Sequence, residues 1–449
     1  MQLDDALALV PEAFVPHELE RFRQHLAPAW VEESLLATGT ATVRRRRRPA
    51  EQVVWLVIGM ALLRNESIER VVTWLDLAMP GPDGRGVARS AITQARARIG
   101  AAPLEHLFAV TAATWGAVPD DPATRWRSLS VYAVDGSTLR VPDSRENWTA
   151  FGGQAGSATR GGSAYPTVRL VALMAAHSHV LTALVHADYH TGEATLWKNL
   201  WDELPDDSVT LVDRAFLIAN DLHRLVTSGR NRHWVTRAKT TTRLRAIQRL
   251  GPSDTLVEIQ LSDQTRRAQP GLPTRWLARA IKYRRKGFRP STVLTSLLDA
   301  VAFPAAEVVG LYHQRWEIEL GYDEIKTHLL ERQESIRSRT PEGVRQEIWG
   351  IALAYNLIRV EMARAAAEIG VSPTRISFVA ALSIIRHALL MSASLPLAPG
   401  KIPARLLDMR RHLKLLLLPE RRSERRNPRA VKIKMSNYKR KPPKGRGRK

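Results

Sequence analysis

The chain of 449 residues contains no cysteine. This absence excludes structural disulfides, zinc sites built on thiolates and cysteine nucleophiles. Long hydrophobic runs are also missing, since the longest, Val53 to Leu63, is too short to cross a bilayer. The sequence therefore predicts a protein that is not embedded in a membrane.

Acidic residues are scarce relative to basic ones. There are 44 Asp and Glu against 67 Lys and Arg, which gives a formal net charge of +23. Such an excess indicates a polyanionic partner, with nucleic acid favoured over an anionic membrane surface. Hydrophobic residues make up 44% of the chain, so most of it should fold, in two to four domains.

The first part of the chain, residues 1–120, is typical of a helical DNA-binding domain. A buried helix is predicted from Ala50 to Arg64, and a second helix within Val87–Gly100 exposes residue types that bond phosphates and base edges. A solvated charge run and an ordinary surface helix are the alternatives. The candidate DNA contacts are Arg44, Arg45, Arg46, Arg47, Arg48, Thr93, Gln94, Arg96 and Arg98.

The pattern changes to α/β from residue 125. The order is three strands, a helix, a strand, a helix and a strand, with the first strand expected to break at Asp135-Gly136-Ser137. Residues 240–303 resemble an all-β insertion. One long helix is then expected from about Ala305 to Leu330. A helical region follows at 340–420, and residues 421–449 hold 14 Lys or Arg and one Glu, which predicts a disordered basic tail.

Three carboxylates have unusual contexts. Asp135 interrupts an apolar strand, Asp213 ends another, and Glu319 lies in the long helix. A carboxylate at the end of a buried strand is costly unless a cation compensates it. Two divalent ions held by carboxylates can activate one oxygen and stabilise another in phosphoryl transfer. A plain turn at Asp135 and a helix cap at Asp213 are the alternatives.

Four charged or polar residues share one stripe of the long helix. Tyr312, Arg315, Glu319 and Lys326 fall within about 60° of one another at about 100° per residue. The stripe is either a solvated face or a site that grips a phosphate and a metal. Helical spacing also places Asp323 on this face, so geometry alone does not choose between Asp323 and Glu319.

These motifs resemble those of bacterial DDE transposases in the insertion-sequence 4 family. Tyr312-x2-Arg315-x3-Glu319-x6-Lys326 is similar to the family's Y-R-E-K signature, and "VDGSTLRVPD" around Asp135 is similar to its first aspartate motif. "LVDRAF" around Asp213 resembles the second, with Ala215 where glycine is common. The resemblance covers about 125–335 through motifs and the flanking regions more loosely.

The resemblance implies an RNase H-like catalytic core at 125–335, with a mixed sheet and the all-β insertion before the glutamate-bearing helix. Asp135, Asp213 and Glu319 would be the catalytic residues and the ligands of two Mg²⁺ ions, for which Mn²⁺ can substitute. Tyr312, Arg315 and Lys326 would bind DNA phosphates, a role suited to their donors. The resemblance thus selects Glu319 over Asp323.

The expected reaction is cleavage of the element's ends followed by strand transfer into target DNA. Partners would be double-stranded DNA, as terminal inverted repeats and target, and a second copy of the chain in a synaptic complex. The expected location is the bacterial cytoplasm, at the nucleoid. Trp276 and Trp234 are candidates for base stacking. A nuclease without strand transfer and a non-catalytic nucleic-acid-binding protein are the alternative functions.

Overall fold

The computed structural model describes residues 26–41, 50–75, 77, 89–119, 121–155, 162–273, 275–285, 289–332, 335–392 and 411–418. The predictions for Arg44 to Arg48 and for the tail at 421–449 lie outside these residues. Within the described ranges, no helix combines the length and apolar character needed to cross a membrane.

Helices occupy both ends of the described chain, and strands occupy its middle. The α-helices are α1 (Pro28–Ala37), α2 (Ala50–Leu62), α3 (Ile68–Trp74), α4 (Arg89–Ile99), α5 (Ala102–Trp115), α6 (Arg145–Phe151), α7 (Glu193–Trp197), α8 (Ala219–Thr227), α9 (Asp263–Ala268), α10 (Ala305–His313), α11 (Trp316–Asp323), α12 (Pro341–Glu368) and α13 (Phe378–Ser392). The strands are β1 (Ser130–Arg140), β2 (Thr167–Ala175), β3 (Leu181–Ala187), β4 (Ser208–Val212), β5 (Arg232–Arg237), β6 (Leu244–Gly251), β7 (Asp254–Ile259), β8 (Trp276–Tyr283) and β9 (Ser291–Thr295).

All nine of these strands form one mixed sheet in the order β3-β2-β1-β4-β5-β9-β8-β7-β6. β4 runs parallel to β1 and β5, whereas the other pairs are antiparallel. The predicted order of elements from β1 to β5 is confirmed, with the short helix α6 added. The mixed α/β fold class is confirmed too.

The inserted strands extend the core sheet. β9 pairs with β5 from Val235↔Thr295 to Arg237↔Val293, so the strands of the predicted insertion continue the sheet that carries Asp135. Besides its strands, the insertion contains the six-residue helix α9, which begins after the Ser262 cap. The insertion is therefore fixed to the core by backbone hydrogen bonds as well as by the chain.

The expected break in β1 at Asp135-Gly136-Ser137 is wrong. β1 continues through these residues, and its pairing with β2 includes Asp135↔Ala172, Gly136↔Val171 and Ser137↔Leu170. A side chain at position 136 would meet Glu193, since an added Cβ would lie 2.3 Å from its Cδ. Glycine therefore serves close packing here and not a turn.

Each face of the sheet is covered by a separate hydrophobic cluster. One contains α7, α8 and the Trp234 side of the sheet. The other joins the opposite face to α12, which is buried along most of its length, and to the N-terminal helices α2 and α5. The N-terminal helices α2 and α5 and the C-terminal helix α12 thus share one hydrophobic core with the sheet.

Candidate active site

Asp135 and Asp213 lie on neighbouring strands at matching positions. The parallel register of β1 and β4 ends with Val134↔Val212, and each aspartate is the next residue along the chain, Asp135 within β1 and Asp213 directly after β4. Asp213 keeps an extended backbone (φ −72°, ψ 162°) and forms no side-chain cap with the helical turn after it. Adjacent strands lie about 4.8 Å apart, so the two carboxylates leave the sheet side by side.

In the structure, the predicted long helix is divided into three helical segments. α10 ends at His313, Arg315 precedes α11, and Glu324–Leu329 is a π-helix. The single straight helix is therefore wrong, yet the four signature residues still face the sheet. π-helical segments are rare in proteins and frequently lie at functional sites.

Arg315 connects two of the predicted catalytic carboxylates. Its Nη1 donates to Asp135 Oδ2 at 3.5 Å and its Nη2 donates to Glu319 Oε1 at 2.7 Å. The Arg315 side chain is buried, whereas Glu319 is partly exposed. Asp135 and Glu319 therefore contact the same guanidinium at different nitrogens.

The electrostatics of Asp135 reflect this crowding. Burial, with the negative charges of Glu319 and Glu193, raises its pKa to about 6 despite a backbone hydrogen bond from Gly136 and the attraction of Arg315. For Arg315, burial opposes the charge, but the hydrogen bond to Glu319 and nearby negative groups still raise the pKa. The site thus holds carboxylates that one cation only partly compensates.

Tyr312 and Lys326 flank the carboxylates. Tyr312 is buried, and its pKa is raised by burial and by the nearby Asp213 charge, while Arg315 and Arg237 act in the opposite direction. Lys326 Nζ donates to Ser137 Oγ at 3.4 Å, two residues beyond Asp135 on the same face of β1. The four signature residues and the two aspartates therefore lie together beside β1 and the end of β4.

The geometry also separates Glu319 from its neighbours. Asp323 is exposed and accepts a hydrogen bond from Thr327 Oγ1 at 2.6 Å, with His328 Nε2 at 3.8 Å. Glu317 points inward, with its Oε2 2.9 Å from His179 Nε2. Glu319 shares Arg315 with Asp135.

The contacts of Arg315 indicate that these residues suit divalent cations. The Arg315 guanidinium contacts both Asp135 and Glu319, and burial destabilises the ionised form of Asp135. A bound cation would stabilise that form. In the part of the chain that the structure describes, no three His, Asp or Glu side chains are close enough to share one ion. Mg²⁺ usually takes one or two carboxylates plus water and phosphate oxygens, which pairs of these carboxylates can supply.

The candidate contacts on α4 divide into two groups. Thr93, Gln94 and Arg98 are exposed, as a DNA contact requires. Arg96 faces inward, where its Nε donates to Gln346 Oε1 at 2.7 Å. The Arg96 guanidinium anchors α4 to α12 in this structure, so a DNA contact by Arg96 stays a prediction.

The two candidate stacking residues also differ. Trp234 has 0% exposure inside a hydrophobic cluster, so the prediction that it stacks on a base is wrong. Trp276 is 7% exposed and lies 5.9 Å from the Trp234 ring, but it borders a cavity of about 490 Å³ next to Leu217 and Lys239. Its role in stacking stays a prediction.

Two further residues near Asp135 were missed. Tyr322 is buried, and its hydroxyl donates to the Asp135 carbonyl at 2.9 Å. Glu193 reaches Gly136 from the other face of the sheet and pairs with Arg169 Nη1 at 2.8 Å. Tyr322 lies within the signature helix, but nothing in its spacing distinguishes a core tyrosine from one that contacts the site.

The chain is similar to known transposases. A family model for the transposase DDE domain matches residues 126–357, and a model for the insertion element 4 transposase N-terminal region matches residues 16–109. The chain is 36% identical over 442 residues to transposase InsG for insertion sequence element IS4 of Escherichia coli K12, covering 98% of each. It is 41% identical over 224 residues to putative transposase InsZ of the same organism, covering 49% of this chain and 72% of InsZ.

Among solved structures, the chain is similar to piggyBac transposase in a synaptic complex with hairpin DNA. The TM-score is 0.46 at 9% identity, over 88% of this chain and 86% of that one, which is too weak to bear on function. The family models and the full-length similarity to InsG are sufficient without it. The chain belongs to the IS4 family of DDE transposases, enzymes that depend on divalent metal ions.

Proposed function

We propose that this transposase binds the terminal inverted repeats of an insertion sequence, cleaves the element ends and transfers them into target DNA. Asp135, Asp213 and Glu319 are the catalytic carboxylates. They hold two Mg²⁺ ions, for which Mn²⁺ can substitute.

The observation that carries this proposal is the convergence of the carboxylates and the phosphate-binding residues beside β1 and the end of β4. Asp135 and Asp213 follow the last pair of a parallel register, and Arg315 links Asp135 to Glu319. A protein that only binds DNA has no use for three carboxylates among phosphate-binding groups, because they repel the backbone unless cations intervene.

The bound ions would polarise the scissile phosphodiester and lower the pKa of the attacking oxygen. The chain's own residues position the DNA. Lys326 offers a point charge beside Ser137, and Arg315 offers a fork that can exchange carboxylates for a phosphate. Tyr312 lies near Asp213 and Arg315, where its hydroxyl can donate to the same DNA strand.

Two phosphoryl transfers follow from this arrangement. In the first, a water oxygen bonds to phosphorus and the bond to the 3′ oxygen breaks, so that a 3′-hydroxyl is released. In the second, that hydroxyl bonds to a target phosphorus and displaces a 3′ oxygen of the target, which leaves with a proton. Both transfers use one set of carboxylates, since each replaces one oxygen on phosphorus by another: a water oxygen in the first and a 3′-hydroxyl oxygen in the second.

The remaining assignments rest on the family and on charge. The net charge of +23 and the exposed Thr93, Gln94 and Arg98 support binding of double-stranded DNA by the N-terminal helices, together with Arg44 to Arg48. A synaptic homodimer would bring two ends together. The bacterial cytoplasm, at the nucleoid, is the proposed location.

A cleavage and joining assay tests the proposal. Duplexes that carry the inverted repeats flanking the gene are incubated with the full chain, Mg²⁺ and a target plasmid. The wild type should release 3′-hydroxyl ends and join them to the plasmid, whereas Asp213→Asn should do neither while retaining DNA binding. Asp202→Asn, at an exposed carboxylate, is the matched control. Cleavage without joining would indicate a nuclease, and binding without cleavage would indicate a non-catalytic binder.

A further inference from the structure

We call α11 and the π-helix that follows it (Glu324–Leu329) the catalytic helix. Its back, the face away from Asp135, carries a second, buried ionic group. Glu317 and Glu324 flank Glu319 in sequence but point away from Asp135. Their partners are His179, on the turn between β2 and β3, with Tyr355 and Arg359 on α12. We call these five residues, Glu317, Glu324, His179, Tyr355 and Arg359, the rear clamp.

Arg359 is the centre of the rear clamp. Its side chain is 1% exposed and pairs with Glu324, which also accepts a hydrogen bond from Tyr355 Oη at 2.8 Å. Although burial alone would raise it, the positive charge of Arg359 and the hydrogen bond from Tyr355 lower the pKa of Glu324 to about 2. Glu324 is therefore ionised and held by groups that belong to the core and not to the helix.

His179 extends the rear clamp to Glu317. Arg359 Nη2 lies 2.6 Å from His179 Nδ1, and a guanidinium can only donate, so Nδ1 accepts. The other nitrogen, Nε2, then carries a proton and donates to Glu317 Oε2 at 2.9 Å. His179 adopts φ 63°, a left-handed conformation that is unfavourable for histidine unless its surroundings fix it.

The rear clamp acts on the part of the helix that presents the signature residues. Glu324 begins the π-turn, and Lys326 lies two residues later with its amine at Ser137. Gly321 lets the helix approach the core closely, since an added Cβ would lie 3.1 Å from Tyr355 Oη. A shift of the helix at Glu324 would therefore move Lys326 and Glu319 relative to β1.

We propose that the rear clamp, and Glu324 above all, is a positioning device that sets the placement of Glu319 and Lys326 against Asp135. The inference rests on the proposed roles of these three residues. None of the rear-clamp residues touches the reacting atoms. Removing one partner of a buried pair leaves an uncompensated charge, which is relieved here by movement of the catalytic helix.

Metal affinity tests this role without requiring turnover. Mn²⁺ binding to the full chain is measured by the electron paramagnetic resonance signal of free Mn²⁺, for the wild type, Glu324→Gln and Asp135→Asn. Glu324→Gln should weaken Mn²⁺ binding about tenfold, the usual effect of losing a group that orients a metal ligand. The Mg²⁺ concentration for half-maximal cleavage should rise by a similar factor, while binding of end DNA is retained.

Glu331→Gln is the matched control. Glu331 pairs with Arg386 just beyond the π-turn, so it also ties this segment to a C-terminal helix, but it has no link to Glu317 or His179. Equal Mn²⁺ affinities for Glu324→Gln and Glu331→Gln would overturn the positioning role. If Glu324→Gln does not fold, Tyr355→Phe removes only the hydroxyl that Glu324 accepts from, and an unchanged Mn²⁺ affinity there would overturn it as well.

The Asp135→Asn variant separates the two proposals. Mn²⁺ binding that is lost in Asp135→Asn but normal in Glu324→Gln would remove the positioning role and leave the catalytic site standing. Mn²⁺ binding that is unaffected by Asp135→Asn would remove the proposed site, and the positioning role with it.

Discussion

The two faces of the catalytic helix use the same residue types for opposite purposes. On the front, Arg315 spans Asp135 and Glu319, and Glu319 keeps 32% of its side chain exposed. On the back, the side chains of Arg359 and Glu324 are 1% and 16% exposed. Arg359 also contacts His179 and Tyr355, and Glu324 also accepts a hydrogen bond from Tyr355. The front can exchange partners with incoming ions and DNA, whereas the back is closed and fixes the helix.

The largest contrast should appear within the helix itself, at Glu319 and Asp323. Glu319→Gln should lower Mg²⁺-dependent cleavage by at least about 1,000-fold, since it removes a catalytic group. Asp323→Asn should leave cleavage within about twofold, because its contacts to Thr327 and His328 are exposed and lie outside the site. Single-turnover cleavage rates on end duplexes measure both. The reverse order would assign the carboxylate to Asp323.

The back of the helix should show its charge in the pH dependence of stability. The folded pKa of Glu324, about 2, is below its ordinary value of 4.5, so its ionisation stabilises the fold by a few kcal/mol above pH 4.5. That contribution is lost as the pH falls from 4.5 towards 2. The difference in Tm between the wild type and Glu324→Gln should therefore be largest near neutral pH and shrink below pH 4.5. A constant difference from pH 6 to pH 3 would contradict the pairing.

At the front, loss of one phosphate contact should have a smaller effect. Lys326→Ala should weaken binding of the cleaved end about tenfold and reduce strand transfer with it, as expected for one charged hydrogen bond. Ser137→Ala, which removes the hydroxyl near Lys326 but keeps the charge, is the control and should bind almost normally. Binding measured at several salt concentrations should lose about one unit of salt slope in Lys326→Ala only.

The smallest effect is expected on α4, which repeats the same contrast of outward and inward arginines. Arg98→Ala should weaken DNA binding only about two- to fivefold and leave Tm unchanged, because Arg98 is exposed. Arg96→Ala should instead lower Tm, since its bonds to Gln346 and Ser338 join α4 to the core. An unaltered Tm in Arg96→Ala would mean that this anchor does not hold the helix.

Local patterns predicted what depends on neighbours in the sequence. The order of elements from β1 to β5 follows from their periodicity. The choice of Glu319 over Asp323 comes from the resemblance to the family's signature and stays a prediction. The break at Gly136 was predicted incorrectly because sequence cannot show that Glu193 packs against that glycine. Trp234 was misassigned for the same reason, since a tryptophan in a strand has the same local pattern whether it faces the core or a ligand.

By itself, the sequence determined the cationic character, the two aspartate strands and the signature helix, because charge and spacing are properties of the chain. Only the tertiary structure decided that inserted strands join the core sheet, that the helix contains a π-turn and that Arg359 lies behind it. Glu324 and Arg359 are 35 residues apart, and Glu317 and His179 are 138 apart. Such pairs form only when packing of α12 against the sheet brings their elements together, and no local preference encodes that packing.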